Sequence, residues 1–163
     1  AKNGKIVVGY GHKRLAEYPI TGGSSMYREP YYDDRMVENA KRIIKDVNWS
    51  GFAMFEYKLS KGNELYLIEV NPRIWGSINQ GLVNGVNYFS YLLGDLTIKR
   101  SKSRRIRRTY YSPFLYLSLI KYILKFRFKP IKTFINNVFN NKADISFVKD
   151  PFGWFGVCFR VFQ

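Results

Sequence analysis

Cysteine and histidine are almost missing from this chain of 163 residues. Cys158 is the only cysteine, so the chain cannot form an intramolecular disulfide, and nothing in it indicates an oxidising compartment. His12 is the only histidine, which excludes zinc sites built from several cysteine and histidine ligands. The remaining candidates for a functional site are carboxylate, amide and cationic side chains.

Acidic residues are scarce as well. Twelve Asp and Glu stand against 27 Lys and Arg, which gives a formal net charge of +15. This excess indicates an anionic partner: a nucleotide, a polyphosphate, a nucleic acid or a membrane surface. The longest nearly uncharged run, 109–120, is too short to span a bilayer. The 13 Tyr, 13 Phe and 3 Trp residues exclude a wholly disordered chain.

Hydrophobic spacing predicts an α+β fold for the first part of the chain. A β-branched run at 5–10 predicts a strand, followed by a basic turn at 11–14 and a Pro/Gly/Ser-rich loop at 17–30. Helical spacing over 33–47, with acids at its start and cations toward its end, predicts an amphipathic helix. Two alternating runs joined by the letters KGN predict a β-hairpin, and a second helix is expected at 86–93.

The second strand of this hairpin ends in the stretch EVNPR, which carries Glu69, Asn71 and Arg73. Side chains alternate between the two faces of a strand, so these three residues should project from the same face. A carboxylate, an amide oxygen and a guanidinium on one face suit a divalent metal ion with phosphate bound to it. The alternative is a polar strand end followed by an Asn-Pro turn.

A second acid, Glu56, lies 13 residues before Glu69 on the neighbouring strand. The hairpin should bring the two carboxylates side by side, where they repel each other unless a cation bridges them. Mg²⁺ is the natural candidate because it takes hard oxygen ligands, few of them from protein. The alternative is a cross-strand acid pair that Arg73 or Lys58 balances.

The order HKRLAEYPITGGSS, a helix, and then GFAMFEYKLSKGNELYLIEVNPRIWGS resembles the C-terminal lobe of the ATP-grasp ligases. This superfamily includes biotin carboxylase, the large chain of carbamoyl phosphate synthase and D-alanine–D-alanine ligase. The likeness covers about residues 5–95. It implies the C-terminal half of an ATP-grasp domain, an antiparallel sheet with packed helices.

The resemblance also implies a role for each polar residue of the hairpin. In these ligases the first acid, together with the Glu and Asn of E-x-N-x-R, holds Mg²⁺ or Mn²⁺ on the phosphates of ATP. Carried over, this assigns Glu56, Glu69 and Asn71 to the metal ion. Arg73, the arginine of the motif, would steady the acyl phosphate or the transferring phosphoryl group.

Upstream of the helix, the resemblance implies further contacts to phosphate. Lys13 or Arg14 occupies the region where relatives keep a basic residue for substrate or phosphate. The glycines of the TGGSS stretch would let backbone N–H groups approach an anion, although the same letters also suit an ordinary surface turn. The predicted cofactor-binding residues are Gly22, Gly23, Ser24 and Ser25.

The chemistry that the resemblance implies is phosphoryl transfer from ATP to a small-molecule carboxylate, followed by attack of an amine on the acyl phosphate. Such a reaction needs mainly positioning and charge neutralisation, which agrees with a site that contains no nucleophilic cysteine. ATP-grasp enzymes hold the nucleotide between two lobes, and the residues of the N-terminal clamping lobe are missing here. We therefore expect this chain alone to be inactive. As a ligase of this kind, the protein is expected in the cytoplasm.

Composition changes sharply after Leu96, where we place a boundary between the lobe at 1–96 and a basic, aromatic-rich helical appendage at 97–163. Thirteen Lys and Arg and no acid occur between this point and Asp144, and seven of the cations lie in 99–108. Two helices broken at Pro130 are expected, followed by a segment that Asp150 caps.

Three roles are considered for this appendage: packing on the first lobe, attachment to an anionic membrane surface, and binding of nucleic acid. Nucleic acid ranks last, because no recognisable nucleic-acid motif accompanies the cations. The main alternative to a ligase is thus a non-catalytic anion-binding module, peripheral to the membrane or bound to nucleic acid, that keeps the ATP-grasp half-fold.

Overall fold

The computed structural model describes residues 1–94, 107–112 and 114–159, and the fold of these residues is α+β. The described part forms two compact units, one from residues within 1–11 and 31–102, the other from residues within 12–30 and 103–163. Its strands are β1 (His12–Tyr18), β2 (Ser24–Pro30), β3 (Met54–Leu59), β4 (Leu65–Asn71), β5 (Arg108–Tyr110) and β6 (Asn141–Ala143). Its helices are α1 (Asp34–Asp46), α2 (Asn79–Leu82), α3 (Tyr88–Leu93), α4 (Phe114–Leu124), α5 (Lys129–Asn136) and α6 (Pro151–Phe159), with a 3₁₀ turn at Val138–Asn140.

Helix α1 of the first unit forms where its sequence pattern predicts. The Asp33 side chain is the N-cap and accepts a hydrogen bond from the backbone N–H of Arg35 at 3.0 Å. Lys45 lies in the last turn, where a cation complements the helix dipole. One face of the helix buries Ala40 and Ile44. The predicted amphipathic helix is confirmed.

The predicted hairpin of the first unit is confirmed as β3 and β4, which pair antiparallel. Its turn is closed by the N–H of Ser60, which donates to the carbonyl oxygen of Glu64 at 2.8 Å. The hydroxyl of Tyr57 donates to the carbonyl oxygen of Met36 at 3.2 Å, so the hairpin is tied to α1. The second predicted helix is α3, which begins after its N-cap residue Asn87.

The second unit contains a four-stranded sheet in the order β1-β2-β5-β6. The pairs β1–β2 and β2–β5 are antiparallel, whereas β5 and β6 are parallel. Helix α4 packs on β1 and β2, and Phe134 of α5 places its ring 5.4 Å from the ring of Tyr27 in β2. The buried core of this unit consists of Ala16, Met26, Tyr27, Leu115 and Tyr122.

Residues 5–30 differ from the prediction. The run at 5–10 belongs to no strand of the described part, where only an isolated bridge joins Lys2 to Lys5. The basic residues at 11–14 enter β1 instead of forming a turn, and the expected loop at 17–30 contains β2. Strand propensity needs a partner to become a ladder. β1 pairs with β2, and β2 pairs on its other side with β5, which lies far along the chain.

The C-terminal region is more than the helical appendage that was predicted, because β5 and β6 complete the sheet of the second unit. The two expected helices are present, but they are separated at 125–128 rather than at Pro130, which lies in the first turn of α5, where proline is tolerated. Asp150 caps α6 by accepting from the N–H of Gly153 at 2.8 Å. The boundary predicted near residue 97 lies outside the described residues and stays a prediction. None of the described helices is long and apolar enough to cross a bilayer.

Candidate functional site

The register of the hairpin places the two predicted acids directly opposite each other. Glu56 of β3 pairs with Glu69 of β4, and Met54 pairs with Asn71. The register shifts immediately beyond this point, because Tyr57 pairs with residue 67 and leaves residue 68 as a bulge in β4. Bulges re-aim side chains and are frequent beside functional sites. The register confirms that the hairpin places Glu56 and Glu69 opposite each other, while their use as metal ligands stays a prediction.

Asn71 and Arg73 lie at the end of β4, next to this acid pair. The side-chain amide of Asn71 donates to Oε1 of Glu69 at 2.7 Å, which fixes the amide so that its oxygen is the atom able to bind a cation. The backbone N–H of Arg73 donates to the carbonyl oxygen of Asn71 at 2.9 Å. The exposed guanidinium of Arg73 donates to the carbonyl oxygen of Ile74 at 3.3 Å, rather than to Glu69.

The chemistry of this group suits a hard divalent cation. Two opposed carboxylates and one amide oxygen are ligands that Mg²⁺ and Mn²⁺ accept, and Mg²⁺ commonly completes its shell with water and nucleotide phosphate. In the part of the chain that the structure describes, no cluster of three or more His, Cys, Asp or Glu could hold a metal ion. A metal ion held by Glu56, Glu69 and Asn71 would therefore take its remaining ligands from water or phosphate oxygens.

The upstream candidates lie in the second unit. Lys13 is exposed in β1, whereas Arg14 donates to Oε2 of Glu17 at 3.2 Å and to the carbonyl oxygen of Gly23 at 2.9 Å. Arg14 thus ties β1 to the turn at 19–23. A side chain on Gly23 would collide with the backbone of residues 18 and 19, so glycine is required at this position for the turn itself.

Ser24 and Ser25 are the first residues of β2 rather than part of a loop. The hydroxyl of Ser25 is buried and finds no hydrogen-bond partner within the described ranges of the chain. Gly22 has a φ of +127°, a backbone conformation that favours glycine. The backbone conformation of these residues is thus accounted for by the turn and the strand, without a bound ligand. The phosphate-binding role of residues 22–25 stays a prediction.

A comparison with family models decides the class of this chain. Residues 20–111 match the model described as ATP-grasp in the biosynthetic pathway with Ter operon, and the match covers more than half of the chain. The chain belongs to this ATP-grasp family. No curated protein and no solved structure matches it significantly. The particular likeness to biotin carboxylase and carbamoyl phosphate synthase therefore stays a prediction.

The matched part of this ATP-grasp chain includes the whole hairpin, with Glu56, Glu69, Asn71 and Arg73. It also includes the turn and the start of β2, but it begins after Lys13 and Arg14. Within the first unit, the structure brings the three predicted metal ligands together at one end of the hairpin. Arg14 and Gly23 form a separate group in the second unit.

Sequence reasoning missed a buried cationic cluster in the second unit of this ATP-grasp chain. Arg28 of β2 is only 1% exposed and lies opposite Arg14 on one side and Thr109 on the other. Its guanidinium forms an ion pair with Asp144 and donates to the carbonyl oxygen of Ser25 at 2.9 Å. Its Nε has no hydrogen-bond partner among the residues that the structure describes. Arg28 and Asp144 are 116 residues apart, too far for any local pattern to link them.

His12 lies beside this cluster, at the start of β1. Burial, reinforced by the positive charges of Arg28 and Arg14, lowers the pKa of His12 from 6.5 to about 4. The imidazole is therefore neutral at physiological pH. The one sequence signal for the cluster is Asp144, the first acid after a long stretch without any.

Proposed function

We propose that this chain supplies the phosphate- and metal-binding half of an ATP-dependent ligase that joins a small-molecule carboxylate to an amine. Membership of the ATP-grasp family supports an ATP-dependent, ligase-type domain. The observation that carries the proposal further is the pairing of Glu56 with Glu69, next to the Asn71 amide that bonds to Glu69. A packed structural strand end has no need for two opposed acids in a chain of net charge +15.

In this proposal Glu56, Glu69 and Asn71 hold Mg²⁺ or Mn²⁺. The metal ion would supply neutralisation of charge on the phosphates of ATP. The hydrogen bond from Asn71 to Glu69 keeps both side chains in position before any ligand arrives. Preformed ligand geometry reduces the reorganisation that binding would otherwise require.

Arg73 follows β4 directly and has an exposed guanidinium. Its fork of N–H donors can hold two phosphate oxygens at once, which a lysine cannot do. We assign it to the acyl phosphate or to the transferring phosphoryl group. Its weak bond to the Ile74 carbonyl, at 3.3 Å, leaves little to break when a phosphate binds.

The nucleotide-clamping lobe is the second part of this proposal. ATP has to be gripped from both sides, so we expect negligible ligase turnover from these 163 residues alone and turnover only from a protein that also carries the clamping lobe. The carboxylate and the amine are chosen by loops and by that lobe, because a fold by itself does not determine a substrate.

Titration with Mn²⁺ tests the metal site directly. In ¹H–¹⁵N NMR spectra of the 163-residue chain, paramagnetic Mn²⁺ should broaden the amide signals around Glu56, Glu69 and Asn71, and an excess of Mg²⁺ should restore them. Glu69→Gln should abolish the selective broadening. Glu38→Gln is the matched control, because Glu38 is an exposed acid on α1 that pairs with Lys41 and is not among the predicted metal ligands. Broadening centred on other acids, or unchanged by Glu69→Gln, would contradict the assignment.

Turnover provides the second test and separates the ligase from a non-catalytic anion-binding module. In a protein that carries both lobes, Glu69→Gln should abolish ATP-dependent ligation while leaving the thermal unfolding curve unchanged. A module that binds anions through its positive charge would keep its anion affinity in this variant. Near-normal turnover would remove Glu69 from the site.

A further inference from the structure

The connection between α4 and α5 presents apolar and cationic side chains together to solvent. We call residues 124–129, with the sequence LKFRFK, the basic tip. Every residue of the basic tip is exposed, and the exposed fractions of Leu124, Phe126 and Phe128 are 70%, 82% and 55%. The rings of Phe126 and Phe128 lie 6.3 Å apart and nearly perpendicular. They form a small apolar cluster at the surface.

Helix α5 continues this surface. Its inner side uses Phe134 to contact Tyr27 and Tyr110 in the core, with ring centroids 5.4 and 5.3 Å apart. The edge of α5 that faces solvent, which we call its outer side, carries Ile135, which is 63% exposed, and the following turn carries Phe139, which is 96% exposed. Ile135 lies about two helical turns after Phe128, so it extends the apolar surface of the basic tip along α5, and Phe139 adds an exposed ring in the 3₁₀ turn at Val138–Asn140. Contiguous exposed apolar surface of this kind marks an interaction site.

Among the residues that the structure describes, the cations of this surface form no ion pair. Lys125, Arg127, Lys129 and Lys132 are exposed, and every ion pair among the described residues uses other cations. The sequence from 97 to 143 contains no Asp or Glu. The positive potential therefore faces outward, toward a partner that must be both anionic and able to accept apolar side chains.

We propose that the basic tip and the outer side of α5 dock on a bilayer surface rich in anionic lipids. Cations between Phe rings suit this surface, because the charges meet the headgroups while the rings reach the acyl boundary. A second copy of this chain would oppose cations with cations. Single-stranded nucleic acid stacks its bases on open ring faces, whereas Phe126 and Phe128 pack edge to face on each other. The inference does not depend on ligase activity.

Co-sedimentation with vesicles tests this proposal on the 163-residue chain. The chain should bind vesicles containing phosphatidylglycerol and should bind pure phosphatidylcholine far more weakly, and rising salt should weaken the binding. Phe126→Ala with Phe128→Ala should lower the affinity by about tenfold for each ring. Lys125→Gln with Arg127→Gln should lower it by about fivefold for each charge. Circular dichroism should show that these exposed substitutions leave the fold intact.

Matched controls test whether the loss of vesicle binding is specific to this surface. Phe152→Ala removes an equally exposed ring from α6, and Arg42→Gln with Lys61→Gln removes the same charge from the first unit. Both controls should keep wild-type affinity. The proposal is overturned if the controls weaken binding as much as the tip variants do, or if neutral vesicles bind equally well. It also fails if the chain self-associates or binds single-stranded oligonucleotides but not anionic vesicles.

Discussion

Replacement of His12 by glutamine should change the pH dependence of folding in a defined window. The pKa of His12 is lowered to about 4 in the folded protein, against 6.5 for an unperturbed histidine. The unfolded chain therefore binds more protons than the folded chain between these two pH values. The folded state loses stability as the pH falls through this window, and a glutamine, which does not titrate, removes that loss.

The size of the effect follows from the separation of the two pKa values. Between pH 7 and pH 5, wild-type protein should lose about 2 kcal/mol of unfolding free energy through His12 alone, and about 3 kcal/mol by pH 4. Asp and Glu titrations contribute equally to wild type and to His12→Gln, so the difference between the two curves isolates the histidine. Urea unfolding at a series of pH values, followed by tryptophan fluorescence, provides these curves.

Two results would refute this reasoning. The first is a set of parallel stability curves for wild type and His12→Gln between pH 7 and pH 4. The second is an imidazole that titrates near 6.5 by NMR. Because His12 is the only histidine, its imidazole signals are identified without further assignment. Either result would mean that neither burial nor the charges of Arg28 and Arg14 act on His12 as the geometry requires.

Two further predictions concern single residues. Asp144→Asn should destabilise the second unit by about 3 kcal/mol or more, because it leaves the buried guanidinium of Arg28 without its counter-charge. Glu38→Gln, which breaks the exposed pair with Lys41, should leave urea unfolding nearly unchanged, and equal destabilisation by the two variants would contradict the burial argument. In a protein that also carries the clamping lobe, Arg73→Lys should lower kcat by roughly 10²-fold and change the KM for ATP much less. A folded variant with near wild-type turnover would show that Arg73 has no catalytic role.

The predicted parts that the structure confirms are local in sequence. Helix α1 follows from apolar spacing and from its N-cap, because the Asp33 side chain accepts a hydrogen bond from the N–H of Arg35, two residues later. The opposition of Glu56 and Glu69 follows from a short turn and strand alternation over 13 residues. Both signals involve residues that lie close together in the sequence, so the sequence pattern alone is enough to predict these two elements.

The sequence by itself therefore determined the amphipathic helix, the hairpin and the opposition of Glu56 to Glu69. Only the tertiary structure decided that residues 12–18 and 24–30 are strands, because β2 gains its second neighbour from β5, about 80 residues later. It also decided that Arg28 is buried against Asp144, which is 116 residues away. A buried charge and a paired strand both require partners that only folding supplies, and partners so distant leave no periodic trace in the sequence.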